Sequence, residues 1–348
     1  MKLKIKKEGV LLEKTTLGFE NRGVMNPAVI QIGDVIHLFY RAVKEGNFSS
    51  IGYAKLSSPT EVELREDVPV LFSQHPYESQ GLEDPRISQI DGLFYLTYTA
   101  YDGVTALGAL ATSFDLINFT KQGVIVPQFT YEKFQKLAES QGKINDKYIR
   151  YNDSFVLVDK VNQKSIIWDK NLLFFPRKIN DKFCFIHRIR PDIQLVLVDE
   201  LTDLTVEFWE NYFLHLSDWI MMTSKYSHEV CYLGGGCPPI ETPDGWLLIY
   251  HGVYDSVDGY VYTACAALFD LENPLIELAR LPYPLFTPEE DWEKLGNVNN
   301  VCFPTGALVQ NDTLFIYYGA ADERVACTSL CLSALLNELK LNPSHVTT

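Results

Sequence analysis

Apolar and polar residues alternate with a period of two along much of this chain, in short runs broken by turn residues. Five stretches share one design: NPAVIQIGDVIHLFYRAV (26–43), DPRISQIDGLFYLTYTAY (84–101), FPRKINDKFCFIHRIR (175–190), PPIETPDGWLLIYHGV (238–253) and FPTGALVQNDTLFIYYGA (303–320). In each, a proline opens an extended run, a tight turn follows (IGD, IDG, IND, PDG or QND), and an aromatic-rich strand comes next. Asn, Asp and Gly at such turns suit two-residue hairpins, and the alternation suits a sheet with one face buried. A third strand-like run usually follows: SSIGYAKLSS, TALGALATSFD, IQLVLVDEL, YVYTACAALFD and RVACTSLCLSA.

Five repeats of three or four antiparallel strands cannot bury their faces alone. Packed radially, they predict an all-β chain, a single five-bladed β-propeller over residues 1–348. The anchoring prolines are Pro27, Pro85, Pro176, Pro239 and Pro304, similarly spaced except between Pro85 and Pro176. The excess falls in about 121–168, where YEKFQKLAESQGKINDKYI predicts a partly helical insertion between the second and third blades, a lid or an oligomer contact. LSALLNELKLN predicts a short helix at about 332–341. A β-sandwich with scattered hairpins is the competing architecture, which five matching hairpins in one order disfavour.

Composition narrows the function classes. A chain of 348 residues that is 47% hydrophobic can build ample core. A formal net charge of -15 disfavours a phosphate-backbone partner, so no nucleic acid is expected. No apolar run is long enough for a membrane span, and the basic N-terminus MKLKIKKEG lacks the apolar region of a secretory signal. The seven cysteines form no CxxC pair and sit mostly in apolar runs, which predicts reduced thiols in a cytoplasmic protein and no structural zinc. No metal-ligand cluster and no Ser-His-Asp order is legible, and GGG at 234–236 lacks the GK[ST] of a nucleotide loop. The glycines instead predict a sharp entry into the fourth blade.

In a propeller the innermost strands surround a channel, and equivalent positions converge at its mouth. Two such places carry polar residues. Beside the anchor prolines stand Asn26, Asp84, Phe175, Pro238 and Phe303; at the end of the second strands stand Arg41, Tyr101, the His187–Arg188–Arg190 group, His251 and Asp322. Buried charges are costly unless paired. A polar ligand pocket accounts for the set; a ring of inter-blade salt bridges is the structural alternative.

DPR in the second repeat, NLLFFPRKINDKF with HR in the third, GGGCPPIETPDGWLLIYHGV in the fourth, and NNVCFPTGA with IYYGAADE in the fifth resemble glycoside hydrolase family 130. The resemblance runs from about 24 to 326, with the insertion as its main break. It implies a five-bladed propeller that cleaves β-mannosides with inversion, by phosphorolysis or by hydrolysis. It places the catalytic acid on Asp84 and the phosphate-binding positions on Lys170, Arg188, Tyr232 and His251. Tyr232 stands where the family has a lysine, and Lys170 where it has an arginine. Asn26, Arg41 and Asp322 match positions that hold the sugar to be cleaved off. Inorganic phosphate is the implied co-substrate, with no cofactor, and homo-oligomers are common in the family.

The residues fit that chemistry in outline. An inverting phosphorylase needs one acid, because phosphate is already an anionic nucleophile, and it needs a cationic cradle. Glu83 beside Asp84 is expected to help keep a proton on the pair, with Arg86 pulling the other way and lying structurally beneath. An inverting β-mannosidase would need a second carboxylate as base, for which Glu229 in SHEVCYLGGG is the candidate. A non-catalytic sugar-binding propeller is the remaining alternative.

Overall fold

All five turns read from the sequence are two-residue hairpin loops. The ladders close at Ile32–Val35, Ile90–Leu93, Ile179–Lys182, Thr242–Gly245 and Gln310–Thr313. Asp91 with Gly92, and Asn180 with Asp181, have positive φ at both central positions, the geometry that matches the twist of the flanking strands.

The computed structural model describes residues 3–150 and 165–344. It is mostly β, built as five antiparallel meanders. The first is Gly23–Ile32, Val35–Lys44, Phe48–Ser58 and Glu61–Arg65; the second is Gly81–Ile90, Leu93–Tyr101, Ala106–Ser113 and Thr120–Val124. The third is Lys170–Phe174, Phe183–Arg188, Ile193–Val198 and Ile220–Met222. The fourth opens with two short pieces, Tyr232–Gly235 and Ile240–Thr242, and continues with Gly245–Ser256, Gly259–Phe269 and Glu277–Arg280. The fifth is Cys302–Gln310, Thr313–Ala320 and Arg324–Cys331, and the N-terminal strand Lys6–Leu12 adds its outer edge. A single parallel pair, Ser49 with Gly81, joins the first two meanders into one sheet.

The core lies between meanders. Phe39, Ile51, Leu82 and Leu96 pack together between the first and second. Tyr95, Phe174 and Phe185 pack between the second and third. Leu173, Ile186, Trp246 and Leu248 do so between the third and fourth. Ile249, Ala266, Leu314 and Ile316 fill the next interface, and Leu38, Tyr40, Tyr317 and Val325 the one between the fifth and first. A Leu, Ile, Val or Phe side chain among these, fully buried, contributes roughly 1.5–3 kcal/mol. Pairs of meanders are therefore held by their inner faces.

Part of the expected insertion is helical, at Tyr131–Ala138, capped by the Thr130 hydroxyl, which accepts from the Lys133 amide at 3.2 Å. Residues 151–164 of that insertion lie outside the described residues. The helix packs Phe134 edge-on against Phe213 of a second helix, Val206–Leu214, which the strand pattern did not suggest. The C-terminal helix spans Leu332–Lys340. Among the described residues no helix is long and apolar enough to cross a membrane.

Candidate active site

The first strands of the first three meanders share one irregularity. Asn26, Asp84 and Asn171 have φ of 51°, 51° and 56°, and at each the ladder skips. Met25 pairs with Arg41 and Ala28 with Phe39; Glu83 with Thr99 and Arg86 with Thr97; Lys170 with Arg188 and Leu173 with Ile186. Such bulges re-aim a side chain out of the pleat, and Asn and Asp tolerate the left-handed conformation better than other non-glycine residues. All three side chains line one polar cavity of about 160 Å³.

Alignment on proline misplaces the third and fourth repeats. The equivalent of Asn26 and Asp84 is Asn171, not Phe175, because Pro176 lies in the break after the strand ends at Phe174. Phe175 belongs to the apolar core, and Pro238 does not line the cavity, whereas Phe303 does. The second-strand position of the second meander is Thr99 rather than Tyr101. Lys170, Arg188, Tyr232, His251, Asn26, Arg41, Asp84 and Asp322 all line the cavity, joined by Asn171, Arg190 and Tyr262.

One wall is acidic and tightly bonded. Asn26 Nδ2 donates to Asp84 Oδ1 at 2.7 Å, and Arg41 Nη1 lies 3.5 Å from the same oxygen. Arg41 Nη2 donates to Glu83 Oε1 at 2.7 Å, and Lys170 Nζ lies 3.0 Å from Glu83 Oε2. Glu83 therefore clasps two cations, and the expectation that it keeps a proton on Asp84 does not hold. Burial raises the Asp84 value, but Arg41, Lys170 and Arg86 and the Asn26 amide outweigh it and hold the carboxyl below its ordinary range. Asp322 is pushed the other way, by burial first and by the neighbouring Asp84 and Glu83 charges, against Arg41. The two carboxyls of one cavity are thus pushed in opposite directions. Arg86 turns beneath: it donates to the carbonyls of Asp84 (2.6 Å), Gly236 (3.1 Å) and Gly235 (3.4 Å).

The opposite wall is cationic and rich in donors. The Arg188 and Arg190 guanidinium carbons lie 5.3 and 4.1 Å from the Tyr232 ring centroid, and Arg190 Nη2 donates to the Tyr232 hydroxyl at 3.3 Å. Tyr262 shares a hydrogen bond with that hydroxyl. Burial, then the charges of Arg188, Arg86 and Arg190, hold His251 well below the usual imidazole value, so it acts as a neutral ring. His251 Nδ1 and Asn171 Nδ2 are buried with no hydrogen-bond partner among the described residues. The glycine run explains how these groups fit. A Cβ on Gly234 would stand 2.4 Å from Asn171 Nδ2 and 2.6 Å from the His251 ring. Gly234 and Gly235 lie in a strand without positive φ, so the run allows close approach and makes no sharp turn.

Glu229 is elsewhere. It is fully buried, and its Oε2 accepts from the Lys225 and Tyr226 amides (2.8 and 3.1 Å) and from Arg280 Nη1 (3.3 Å), while Tyr250 donates to its Oε1. The same construction recurs: Glu20 with Tyr40 and Arg65, Glu78 with Tyr98 and Lys121, and Glu293 with Tyr318 and Lys7. In the third meander the histidine at the tyrosine's position, His187, binds Asp169 at 2.6 Å. Glu229 is one member of a structural set, with its acceptors occupied and no access to the cavity. It is not positioned as a catalytic base.

The family model described as beta-1,4-mannooligosaccharide phosphorylase, Glyco_hydro_130, matches residues 11–165 and 146–341. A 1,2-beta-oligomannan phosphorylase of Thermoanaerobacter sp. (strain X514) is 34% identical over 325 residues, covering 90% of this chain and 91% of that one. A beta-1,2-mannobiose phosphorylase of the same organism is 33% identical over 323 residues, covering 88% and 89%. Among solved structures, the beta-1,2-mannobiose phosphorylase from Listeria innocua in complex with beta-1,2-mannobiose superimposes with a TM-score of 0.72 at 22% identity, over 98% of this chain and 100% of that one.

Proposed function

The chain belongs to glycoside hydrolase family 130, and from that premise we propose that it is an inverting phosphorylase that cleaves β-mannosides with inorganic phosphate. The observation that carries this reading is the division of the cavity. Arg188 and Arg190 stand on one wall, where an anion would sit, Asp84 with its sugar-side partners stands on the other, and Lys170, paired with Glu83, adds a cation close enough to act on Asp84.

Phosphate held by Lys170, Arg188 and Arg190, with donors from Asn171, Tyr232 and His251, attacks the anomeric carbon of the terminal mannosyl unit. The bond from that carbon to the leaving sugar's oxygen breaks. Asp84 supplies the proton that oxygen takes up, directly or through a hydroxyl of the bound sugar. The products are α-mannose 1-phosphate and a shortened acceptor. In the free site Asp84 favours the ionised form. A phosphate dianion beside Lys170 offsets the positive charge that holds it so, and favours a proton on Asp84 once both substrates are bound. Asn26, Arg41 and Asp322 orient the sugar. Arg190 brings a guanidinium to the place where the family's lysine is replaced by Tyr232, which supports phosphate use despite that departure. The hydrolytic alternative loses its base with Glu229 occupied elsewhere.

The two Thermoanaerobacter relatives are named for β-1,2-linked mannosides, so that linkage is the first to test. Purified enzyme incubated with β-1,2- and β-1,4-mannobiose should form mannose 1-phosphate only when phosphate is present. Free mannose at equal rates with and without phosphate would overturn the reading. We further read the five meanders as the blades of a single five-bladed propeller; apolar clusters between each successive pair, including fifth and first, support this. The free cysteines support a reducing, cytoplasmic setting.

A further inference from the structure

The inserted segment between the second and third meanders reaches the cationic wall through one buried hydroxyl. Tyr148 donates to Asp192 Oδ2 at 2.8 Å and accepts from Gln194 Nε2 at 3.0 Å. All three side chains are buried. The same Gln194 amide grips the backbone beside it. Its Oε1 accepts from the Ile189 amide at 2.8 Å, and its Nε2 donates to the Ile189 carbonyl at 3.0 Å. The Ile189 amide can only donate, so the Gln194 oxygen must face it, and both protons of Nε2 are then used. One side chain thus holds both polar backbone groups of the residue between Arg188 and Arg190. Ile189 is buried in the apolar cluster between the second and third meanders, while the arginines on either side of it line the cavity.

The wall needs such a restraint. Arg188 and Arg190 carry like charges on one short turn, and both guanidinium groups lie against the same Tyr232 ring. Their repulsion works to spread that turn. An anion that had to order two long side chains on arrival would bind more weakly than one that met them already fixed. The neighbouring segment is tied to the same place. The Leu233 amide donates to the Pro191 carbonyl at 3.1 Å, and Lys147 Nζ donates to the Val230 carbonyl at 2.5 Å. Lys147 and Tyr148 therefore reach both segments that carry the wall. Tyr148 is itself seated by the Phe134 ring, at 5.9 Å between centroids, and Phe134 by Phe213 at 5.1 Å.

We propose that Tyr148 is a positioning residue for the anion side of the cavity: acting through Gln194, it fixes the Ile189 backbone and with it the spacing of Arg188 and Arg190, so that the insertion buttresses the phosphate site. This rests on the phosphorolysis reading above.

The test measures phosphate KM at saturating β-1,2-mannobiose, and mannobiose KM at saturating phosphate, in wild type, Tyr148→Phe, Gln194→Asn and Phe213→Leu. Tyr148→Phe removes only the hydroxyl. Gln194→Asn keeps the amide but is one methylene too short to span both Ile189 groups. Each should raise phosphate KM about fivefold to tenfold, the size expected when one buried hydrogen bond is expressed as anion affinity. Mannobiose KM and kcat should stay within about twofold. Phe213→Leu loosens the same aromatic packing one ring further from Tyr148; it should lower Tm and leave phosphate KM within about twofold. Unchanged phosphate KM in the two polar variants would overturn the proposal. So would phosphate and mannobiose KM rising together, or a rise in Phe213→Leu as large as in Tyr148→Phe. Wild-type turnover that ignores phosphate would overturn the functional reading as well, whereas a phosphate-saturable wild type with unshifted variants overturns the positioning role alone.

Discussion

At the scale of single residues, burial sorts the carboxylates by the company they keep. Asp84 sits among cations and is held low, whereas Asp192 is raised from 3.8 to about 6, by burial first, against the hydrogen bond from Tyr148 (2.8 Å) and the charge of Lys147. The sign is then fixed. A carboxyl whose folded value exceeds its unfolded one favours folding when protonated; the cost of ionising it is absent below about pH 4 and complete above about pH 6. A rise of this size corresponds to about 3 kcal/mol at neutral pH. Asp192→Asn keeps an oxygen for Tyr148 to donate to and removes the charge. It should raise the urea midpoint at pH 7.5, by up to about 3 kcal/mol in stability, and change little at pH 4. A variant equally stabilised at both pH values would contradict the assignment.

At the scale of elements, what repeats was legible and what breaks the repeat was not. The hairpin turns, the third strands and the C-terminal helix follow from Asn, Asp and Gly placement and from periodicity. The bulge did not, because an αL residue leaves no trace in hydrophobic pattern. Asn26 and Asp84 stand out by the proline that follows each and by the family motifs they match, whereas Asn171, followed by Leu172, carries no such mark. Helix Val206–Leu214 carried Thr205 as a cap and aromatics at helical spacing, but its aromatic content reads equally as strand. Eight of the nine candidate side chains do meet in one cavity; Glu229, a candidate for its place near the position where the family has a lysine, is instead buried like its three counterparts Glu20, Glu78 and Glu293. The bulge also permits a separation of roles. Asn171→Gly and Asn171→Ala both delete the amide that lines the cavity and should lower phosphorolysis alike. Only alanine is strained at φ 56°, so it should be less stable than glycine by about 1 kcal/mol in denaturant titration. Equal stability would mean that the backbone there relaxes.

At the scale of the whole molecule, the chain's two ends meet in one sheet. Strand Lys6–Leu12 is the outer edge of the fifth meander, paired with Arg324–Cys331, so the last sheet is completed only when the first strand arrives. Lys7 couples this closure to the recurring glutamate construction. Its ammonium contacts Glu293, which is fully buried, accepts from Tyr318, and caps the turn before it through the amides of Glu289 and Glu290. In the other glutamate sets the cation comes from a neighbouring strand of the same meander; here it crosses from the opposite end of the sequence. Removing one partner of a buried pair leaves an uncompensated charge, which typically costs about 3–5 kcal/mol, whereas replacing both is far milder. Lys7→Met should therefore lower stability by about that amount in guanidinium titration, and Lys7→Met combined with Glu293→Gln should recover most of it, since Gln still accepts from Tyr318. A single variant within about 0.5 kcal/mol of wild type would show that the terminal strand is peripheral to the fold. Recovery in the double variant would instead make the pair the link that ties the first strand to the last meander, and with it the wall from which Asp322 faces the cavity.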